Sequence, residues 1–328
     1  MAIKSMKVLN IMAFHQKELD LQFGDGINIL IGENGMGKTT LLKMIYAALQ
    51  YSIENQTSGK ELIHFFSNNL RDFSQMKYPG KEKDTCYYEI SDGQHFFKDY
   101  LTKKNGIVSE GWKGLNIQSV FIPTTEMLSH SKGFLAMNQK YNMPFDETQI
   151  DIIVNASLPE TKKVSQSCEI ILKEISDVIN GKVVQEDDTF YIVKNDGRKI
   201  DFSLEAGGMR KLGLLWKLIR NGLLEKNSVL LWDEPEANLN PELYPLVANI
   251  LLALQKNGVQ IFLATHSYNF AKYLEIRRTE KEQVLIHNLY RNDLGKEIMS
   301  VSAYKMEDLE PNHIMMADNQ LLDEVYNM

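Results

Sequence analysis

Residues 27–49 read INILIGENGMGKTTLLKMIYAAL. An apolar run ends in a cluster of glycines, a lysine and two threonines follow, and the apolar residues then recur at helical spacing. Glycine weakens the interior of a helix or strand by roughly 0.5–1 kcal/mol, so Gly32, Gly35 and Gly37 mark a loop whose backbone needs them. Gly32 to Thr39 fits G-x-x-x-x-G-K-(S/T). In such a loop the amides of Gly32, Glu33, Asn34, Gly35, Met36 and Gly37 turn toward an anion, and the following helix N-terminus adds positive potential. Lys38 reaches the β- and γ-phosphates, Thr39 binds Mg²⁺ and Thr40 meets the α-phosphate. A bare glycine-rich turn is the competing reading. The strand before and the helix after favour a site for ATP with Mg²⁺.

Outward from this stretch, SMKVLNIMAF and KELDLQF alternate apolar and polar residues, the period of half-buried strands. CYYEISDGQHFFKDYL reads as a hairpin around Asp92-Gly93, and IQSVFIP as a short buried strand. DETQIDIIVNASLPE and SQSCEIILKEISDVIN read as two helices broken at Pro159. KVVQEDDTFYIVKNDGRKIDFSL reads as strands. After Gly207 strands and helices alternate again: MRKLGLLWKLIRNGLL, SVLLWDEP, ELYPLVANILLALQKNG, VQIFLATHS. Alternation of this kind gives a parallel sheet, which binds ligands at the carboxyl ends of its strands. The expected fold class is an α/β P-loop NTPase. Its discontinuous core is expected at 1–50 and 118–290, with a β-rich insertion at about 50–118, a helical and β arm at about 140–200, and a C-terminal extension at 290–328.

LLWDEP supplies acids at a strand end. Asp233 is placed to hold Mg²⁺ through water and Glu234 to polarise the attacking water; a loop acid capping the next helix is the alternative. Two adjacent acids need a compensating cation, and phosphoryl transfer needs one too. His266 in FLATHS ends another strand and is placed to contact the γ-phosphate or the attacking water. The expected catalytic set is therefore Lys38, Glu234 and His266.

GENGMGKTT, EAGGMRKLG, LLWDEPEANLNP and ATHS, in that order, resemble the ABC-type ATPase domains of the SMC, RecF and OLD-like branch. DEPEANLNP is similar to the small OLD-like ATPases of prokaryotic defence and repair systems. The resemblance covers about residues 1–50 and 118–275. It implies that EAGGMRKLG is a signature loop closing over ATP held by another subunit, with Gly207 and Gly208 offering amides to that γ-phosphate; a helix N-terminus packed in its own core is the local alternative. Three departures stand out. Ala206 occupies the usual serine position, with Ser203 a substitute; Asn240 stands where many relatives have aspartate; and FIPTTEMLSH replaces a glutamine loop, so Glu126 takes the metal- and water-sensing role.

A net charge of −7 argues against binding nucleic acid over the whole surface, although Lys103-Lys104, Lys162-Lys163 and Arg277-Arg278 are candidate local contacts. Two cysteines are too few for a disulfide framework, which suits a reducing cytoplasm. Neither a signal peptide nor a membrane span of about 20 apolar residues is expected. The resemblance implies a head-to-tail dimer in which ATP acts as a switch. Its output is an antiviral-defence or DNA-transaction role with a separate effector such as a nuclease or toxin, because too few residues follow His266 for the Toprim domain of many OLD proteins. A RecF-like DNA-repair clamp and a transporter ATPase are the alternatives.

Overall fold

The computed structural model describes residues 2–15, 17–53, 62–67, 73–78, 85–101, 107–141, 143–292 and 297–327. The run INILIG forms β3 (Ile27–Gly32), a central strand of a six-stranded sheet. Its companions are β7 (Ser119–Ile122), β11 (Val229–Asp233), β12 (Gln260–Ala264), β13 (Val284–Arg291) and β14 (Ile298–Ala303). The order is β14-β13-β3-β12-β11-β7, parallel except where β14 pairs with β13.

This sheet is buried on both faces, which is why its strands read as continuous apolar runs rather than alternating ones. Successive side chains nevertheless enter different cores. Ile27, Ile29, Ile31, Leu230, Trp232, Ile261 and Leu263 join one core, whereas Leu30, Leu231, Phe262 and Ala264 join the other.

The second core is closed by α1 (Lys38–Tyr51) and by an antiparallel sheet ordered β2-β1-β4-β5-β6. Its strands are β1 (Ser5–Leu9), β2 (Leu19–Gln22), β4 (Tyr87–Ser91), β5 (Phe96–Leu101) and β6 (Ile107–Gly111). The hairpin expected around Asp92-Gly93 is present as β4 and β5. Within the stretch 50–118, expected as an insertion, β4 runs antiparallel to β1 from Ser5↔Ser91 to Leu9↔Tyr87.

The first core carries α3 (Glu147–Ser157), α4 (Gln166–Ile179), α5 (Gly207–Arg220), α6 (Tyr244–Lys256) and α7 (Tyr268–Arg277), preceded by the shorter α2 (Phe134–Tyr141). A small sheet of β8 (Gly181–Glu186), β9 (Thr189–Lys194) and β10 (Lys199–Asp201) sends Val183, Phe190 and Ile192 into it. The two helices expected around Pro159 are α3 and α4. Asp146 starts α3 through a reciprocal capping box with Gln149, and Ser165 caps α4. Pro245 lies in the first turn of α6, where its missing N–H costs nothing. Lys43 of α1 pairs with Asp146 at 2.7 Å and ties the two layers together.

The boundary expected at residue 290 falls inside β13, and β14 continues the central sheet. The helix α8 (His313–Tyr326) follows. Among the described residues no helix is long and apolar enough to cross a membrane.

Candidate functional site

Leu30, Ala264 and Asp233 stand in register on three neighbouring strands, β3, β12 and β11. The loops that follow these strands therefore leave the sheet at one height, and that alignment gathers the motifs.

The loop after β3 folds tightly against the body. Gly32 has φ +139°, and a Cβ there would lie 2.3 Å from the Leu289 carbonyl of β13. Gly37 has φ +81° and would press a Cβ 2.5 Å from the Phe14 ring. Both positions accept only glycine. Gly37 is the N-cap of α1 and offers no side-chain cap, and the first turn holds no acid, so the helix N-terminus presents its amides and dipole to an anion. Glu33, Asn34 and Gly35 are exposed, whereas the Met36 side chain is buried in the core, leaving its backbone amide as the group a ligand could meet. A cavity of about 740 Å³ opens outside Gly32, Glu33 and Asn34, walled by His266 and Ser267 and across from them by α8.

Lys38 is buried, and its Nζ donates to the carbonyls of Gly32 at 2.7 Å and Glu33 at 2.9 Å. Burial pushes its pKa down to about 8, partly opposed by Asp233 and Glu234, so it stays mostly charged at neutral pH. Its Nζ also stands 3.4 Å from His266 Nδ1. An ammonium only donates, so Nδ1 accepts and the imidazole proton sits on Nε2. That atom faces Glu234 Oε1 at 3.6 Å. Burial, and then the Lys38 charge, lower the His266 pKa below 6.5. The imidazole is therefore neutral at pH 7, and its contact with Glu234 is polar rather than an ion pair.

Thr39 Oγ1 lies 3.0 and 3.1 Å from the two carboxylate oxygens of Asp233. Thr40 Oγ1 points instead to the Met12 sulfur, 3.8 Å away. Asp233 is buried, and burial raises its pKa; hydrogen bonds from Thr39 and Thr124 oppose the rise. A buried carboxylate beside a hydroxyl is a hard oxygen pair, the partial set Mg²⁺ takes when phosphates and waters complete its shell. Thr39 and Asp233 therefore fit the expected cation. Among the described residues no cluster of three or more His, Cys, Asp or Glu could hold a metal by itself.

Glu126 has other partners. Its Oε1 accepts from the amides of Leu128 at 2.5 Å and Ser129 at 3.2 Å, and its Oε2 pairs with Arg210 at 3.3 Å. The carboxylate caps its own turn, so the metal-sensing role expected of it has no support in these contacts. From the same stretch Thr124 reaches Asp233 Oδ2 at 3.0 Å.

Glu234 itself has φ +48°, a backbone state that costs a non-glycine residue about 1–3 kcal/mol. Its N–H is held by the Ala264 carbonyl at 2.8 Å. Its carbonyl accepts from Lys211 Nζ at 2.8 Å. Glu236 accepts from Thr265 Oγ1 at 2.6 Å and from the His266 amide at 3.1 Å. Sequence reasoning passed over Thr124, Lys211 and Glu236.

Gly207 and Gly208 form the first turn of α5. A Cβ on Gly208 would meet Leu239 at 3.3 Å, and one on Gly207 would meet Asn238 at 3.3 Å. The turn is thus seated on the loop after Glu234 in its own chain. Just before it, Leu204 is 80% exposed. Of the candidate basic pairs, Lys162 and Lys163 are exposed. Arg277 and Arg278 donate to Asn249 and to the Val284 carbonyl. Lys103 and Lys104 lie outside the described residues.

Residues 132–271 match the family described as AAA domain, putative AbiEii toxin, Type IV TA system. The DNA replication and repair protein RecF of Clostridium kluyveri is 32% identical over 122 residues, 37% of this chain and 28% of that protein. RecF of Streptococcus uberis is 28% identical over 228 residues, 68% of this chain and 59% of that protein. The chain therefore spans less than two thirds of the length of these relatives. Among solved structures, an SMC head bound to the C-terminal winged-helix domain of ScpA aligns with a TM-score of 0.58 at 15% identity, covering 92% of this chain and 98% of that one. The SMC head domain from Thermotoga maritima aligns with a TM-score of 0.53 at 16% identity, covering the same shares.

Proposed function

From the premise that this chain has the fold of an ABC-type ATPase head of the SMC/RecF branch, we propose that it binds Mg-ATP and hydrolyses it between two head-to-tail copies. One observation carries the reading: Lys38, Thr39, Asp233, Glu234 and His266, from three separate loops, meet at the ends of three adjacent strands. The amides of residues 32–37 and of the α1 N-terminus bind the phosphates, and Lys38 faces the β- and γ-phosphates. Thr40 takes the α-phosphate after turning from Met12. Thr39 and Asp233 hold Mg²⁺, with Thr124 steadying Asp233. When bound, the cation neutralises charge that develops on the phosphate oxygens.

Glu234 is the general base. The water oxygen bonds to the γ-phosphorus, the bond from that phosphorus to the β–γ bridging oxygen breaks, and the water proton passes to the Glu234 carboxylate. ADP and phosphate leave. His266, neutral and with its Nε2–H toward the base, orients the water or the γ-phosphate. Gly207 and Gly208 complete the site of a second copy, and the exposed Leu204 beside them suits burial in that contact. ATP then closes the pair and hydrolysis opens it.

The switch serves a separate effector, a nuclease or toxin, in an antiviral-defence or DNA-transaction complex of the cytoplasm. The description of the matching family, which names a toxin–antitoxin system, supports a defence role. A RecF-like clamp that touches DNA itself is the second reading, favoured by the RecF relatives.

The primary test is Lys38→Ala, which removes the buried cation facing the phosphates. Titration with labelled ATP should show binding lost. Unchanged affinity would sink the nucleotide site. A pull-down with Glu234→Gln and ATP, which holds the closed form, should retain the effector, whereas retained DNA would favour the second reading.

A further inference from the structure

Lys211 lies one turn into α5 and is buried, 5% exposed. Its stem could have ended in a methyl group in this setting. It ends instead in an ammonium that donates to the carbonyls of Glu234 at 2.8 Å and Pro235 at 3.3 Å. Burying an ammonium is costly unless the charge and its hydrogen bonds are used. The charge faces Glu236, Glu234 and Asp233, while burial pulls its pKa down to about 8.

The carbonyl it grips belongs to Glu234, a non-glycine residue held in a left-handed backbone state. That turn is fixed at its N–H by Ala264. Its next acid, Glu236, holds the His266 amide. A carboxylate on such a turn points correctly only while both ends of the turn are fixed.

We propose that Lys211 is a positioning residue: through the Glu234 and Pro235 carbonyls it holds the left-handed turn that aims the Glu234 carboxylate. This inference rests on the reading of Glu234 as the base. Lys211 acts on the base of its own chain, whereas the glycines one turn earlier serve the neighbour's site. The two roles of α5 are therefore separable by experiment.

Lys211→Met keeps the stem and removes the donor. ATP affinity should be unchanged while kcat falls about tenfold to a hundredfold, the order that a displacement of about 1 Å from productive geometry brings. Lys211→Arg, which restores a cationic donor, should recover part of the loss. If Lys211→Met does not fold, Lys211→Gln, which still carries an N–H donor, takes its place with a smaller loss.

The decisive arm mixes Lys211→Met with Lys38→Ala subunits. The composite site able to bind ATP then takes its phosphate loop and Glu234 from the Lys211→Met chain and its signature amides from the Lys38→Ala chain. A brace acting within its own chain leaves the mixture no more active than Lys211→Met subunits alone. Recovered activity would overturn the proposal, because Lys211 would then act through the signature loop. The control pairs Lys38→Ala with Gly207→Asp, whose defect lies in the signature and which should regain activity. If the control stays inactive, the head-to-tail reading falls and the Lys211 proposal is judged on kcat alone. A kcat equal to wild type in Lys211→Met would overturn it in either case.

Discussion

Replacing Asp233 by asparagine should make the nucleotide-free protein more stable and the Mg-ATP-bound protein less so. The carboxylate is 6% exposed, and its hydrogen bonds come from two hydroxyls, Thr39 and Thr124, at 3.0–3.1 Å. Burial disfavours its charge and raises its pKa. Asparagine has nearly the same shape and can still bond both hydroxyls. Exchanging two charge-assisted bonds for neutral ones loses about 2 kcal/mol in all. Relief from desolvating the charge returns several kcal/mol. The net is a gain of roughly 1–2 kcal/mol. Unfolding entropy near 2.1 cal/mol/K per residue, over 328 residues, turns that gain into a rise of about 2 °C in melting midpoint. Saturating Mg-ATP at about a hundred times Kd should lift wild type by about 2.7 kcal/mol, or about 4 °C. The variant, lacking the cation ligand, should miss most of that lift. The two melting curves therefore exchange order: variant above wild type in EDTA, below it in Mg-ATP. Differential scanning fluorimetry under the two conditions reads this directly. A variant several degrees less stable in EDTA would show that the carboxylate holds the fold rather than a cation, and would refute the assignment.

Glu234→Gln should bind Mg-ATP yet lose at least about a hundredfold in kcat, the lower range for a catalytic base; near-normal phosphate release in a single-turnover assay would move the role elsewhere. Gly207→Asp adds a short acid at a helix N-terminus, where it favours the host helix, but it sets a negative charge against a γ-phosphate presented by a neighbour. ATP binding should persist while turnover and ATP-dependent dimerisation in sedimentation are lost, and intact turnover would count against the signature role. His287 is fully buried between Ser302 and Asn28, and burial lowers its pKa from 6.5 to about 3. Below pH 6.5 the unfolded chain takes up a proton that the folded chain refuses, so stability falls with pH, by about 2 kcal/mol between pH 7 and 5. Urea unfolding of His287→Gln should show a correspondingly weaker pH dependence, and an unchanged one would refute the linkage.

The strands and helices around the phosphate loop were legible because local signals agree there. An apolar run, glycines at positive φ and a 3.6-residue period all point to strand, loop and helix between Ile27 and Leu49. The stretch 50–118 shows its hairpin locally but not the sheet that the hairpin joins. What places β4 is its pairing with β1, about eighty residues earlier, and pairing between distant strands leaves no mark on local periodicity. In the site, Asp233 and His266 were legible because acids and a histidine at the ends of apolar strands are conspicuous. Thr124 was not, since one threonine of a pair beside a proline has no signature. Lys211 sits in MRKLGLLWK, where a lysine beside an arginine reads as the solvated face of a helix. Glu126 was assigned by its position in the order of motifs. Its side chain instead satisfies the free amides of the short helical turn Leu128–His130, a local demand that an order of motifs does not express.

The placement of α5 has a consequence for how the two sites of a pair would communicate. The first turn of the helix, Gly207 and Gly208, rests on Asn238 and Leu239, and its second turn grips Glu234 and Pro235 through Lys211. Both contacts fall on one loop, the loop that carries the base. On the head-to-tail reading, the glycine amides would meet the γ-phosphate of the neighbouring site while Lys211 holds the base of the home site. A force on the helix N-terminus from one nucleotide would then reach the carboxylate that activates water against the other. Occupancy of one site would tune hydrolysis in the second, with coupling carried by a packed element of two turns rather than a long path. Such an arrangement also makes turnover a property of the pair. Specific activity should therefore rise with protein concentration until the dimer is saturated, whereas a site complete within one chain would give a constant value.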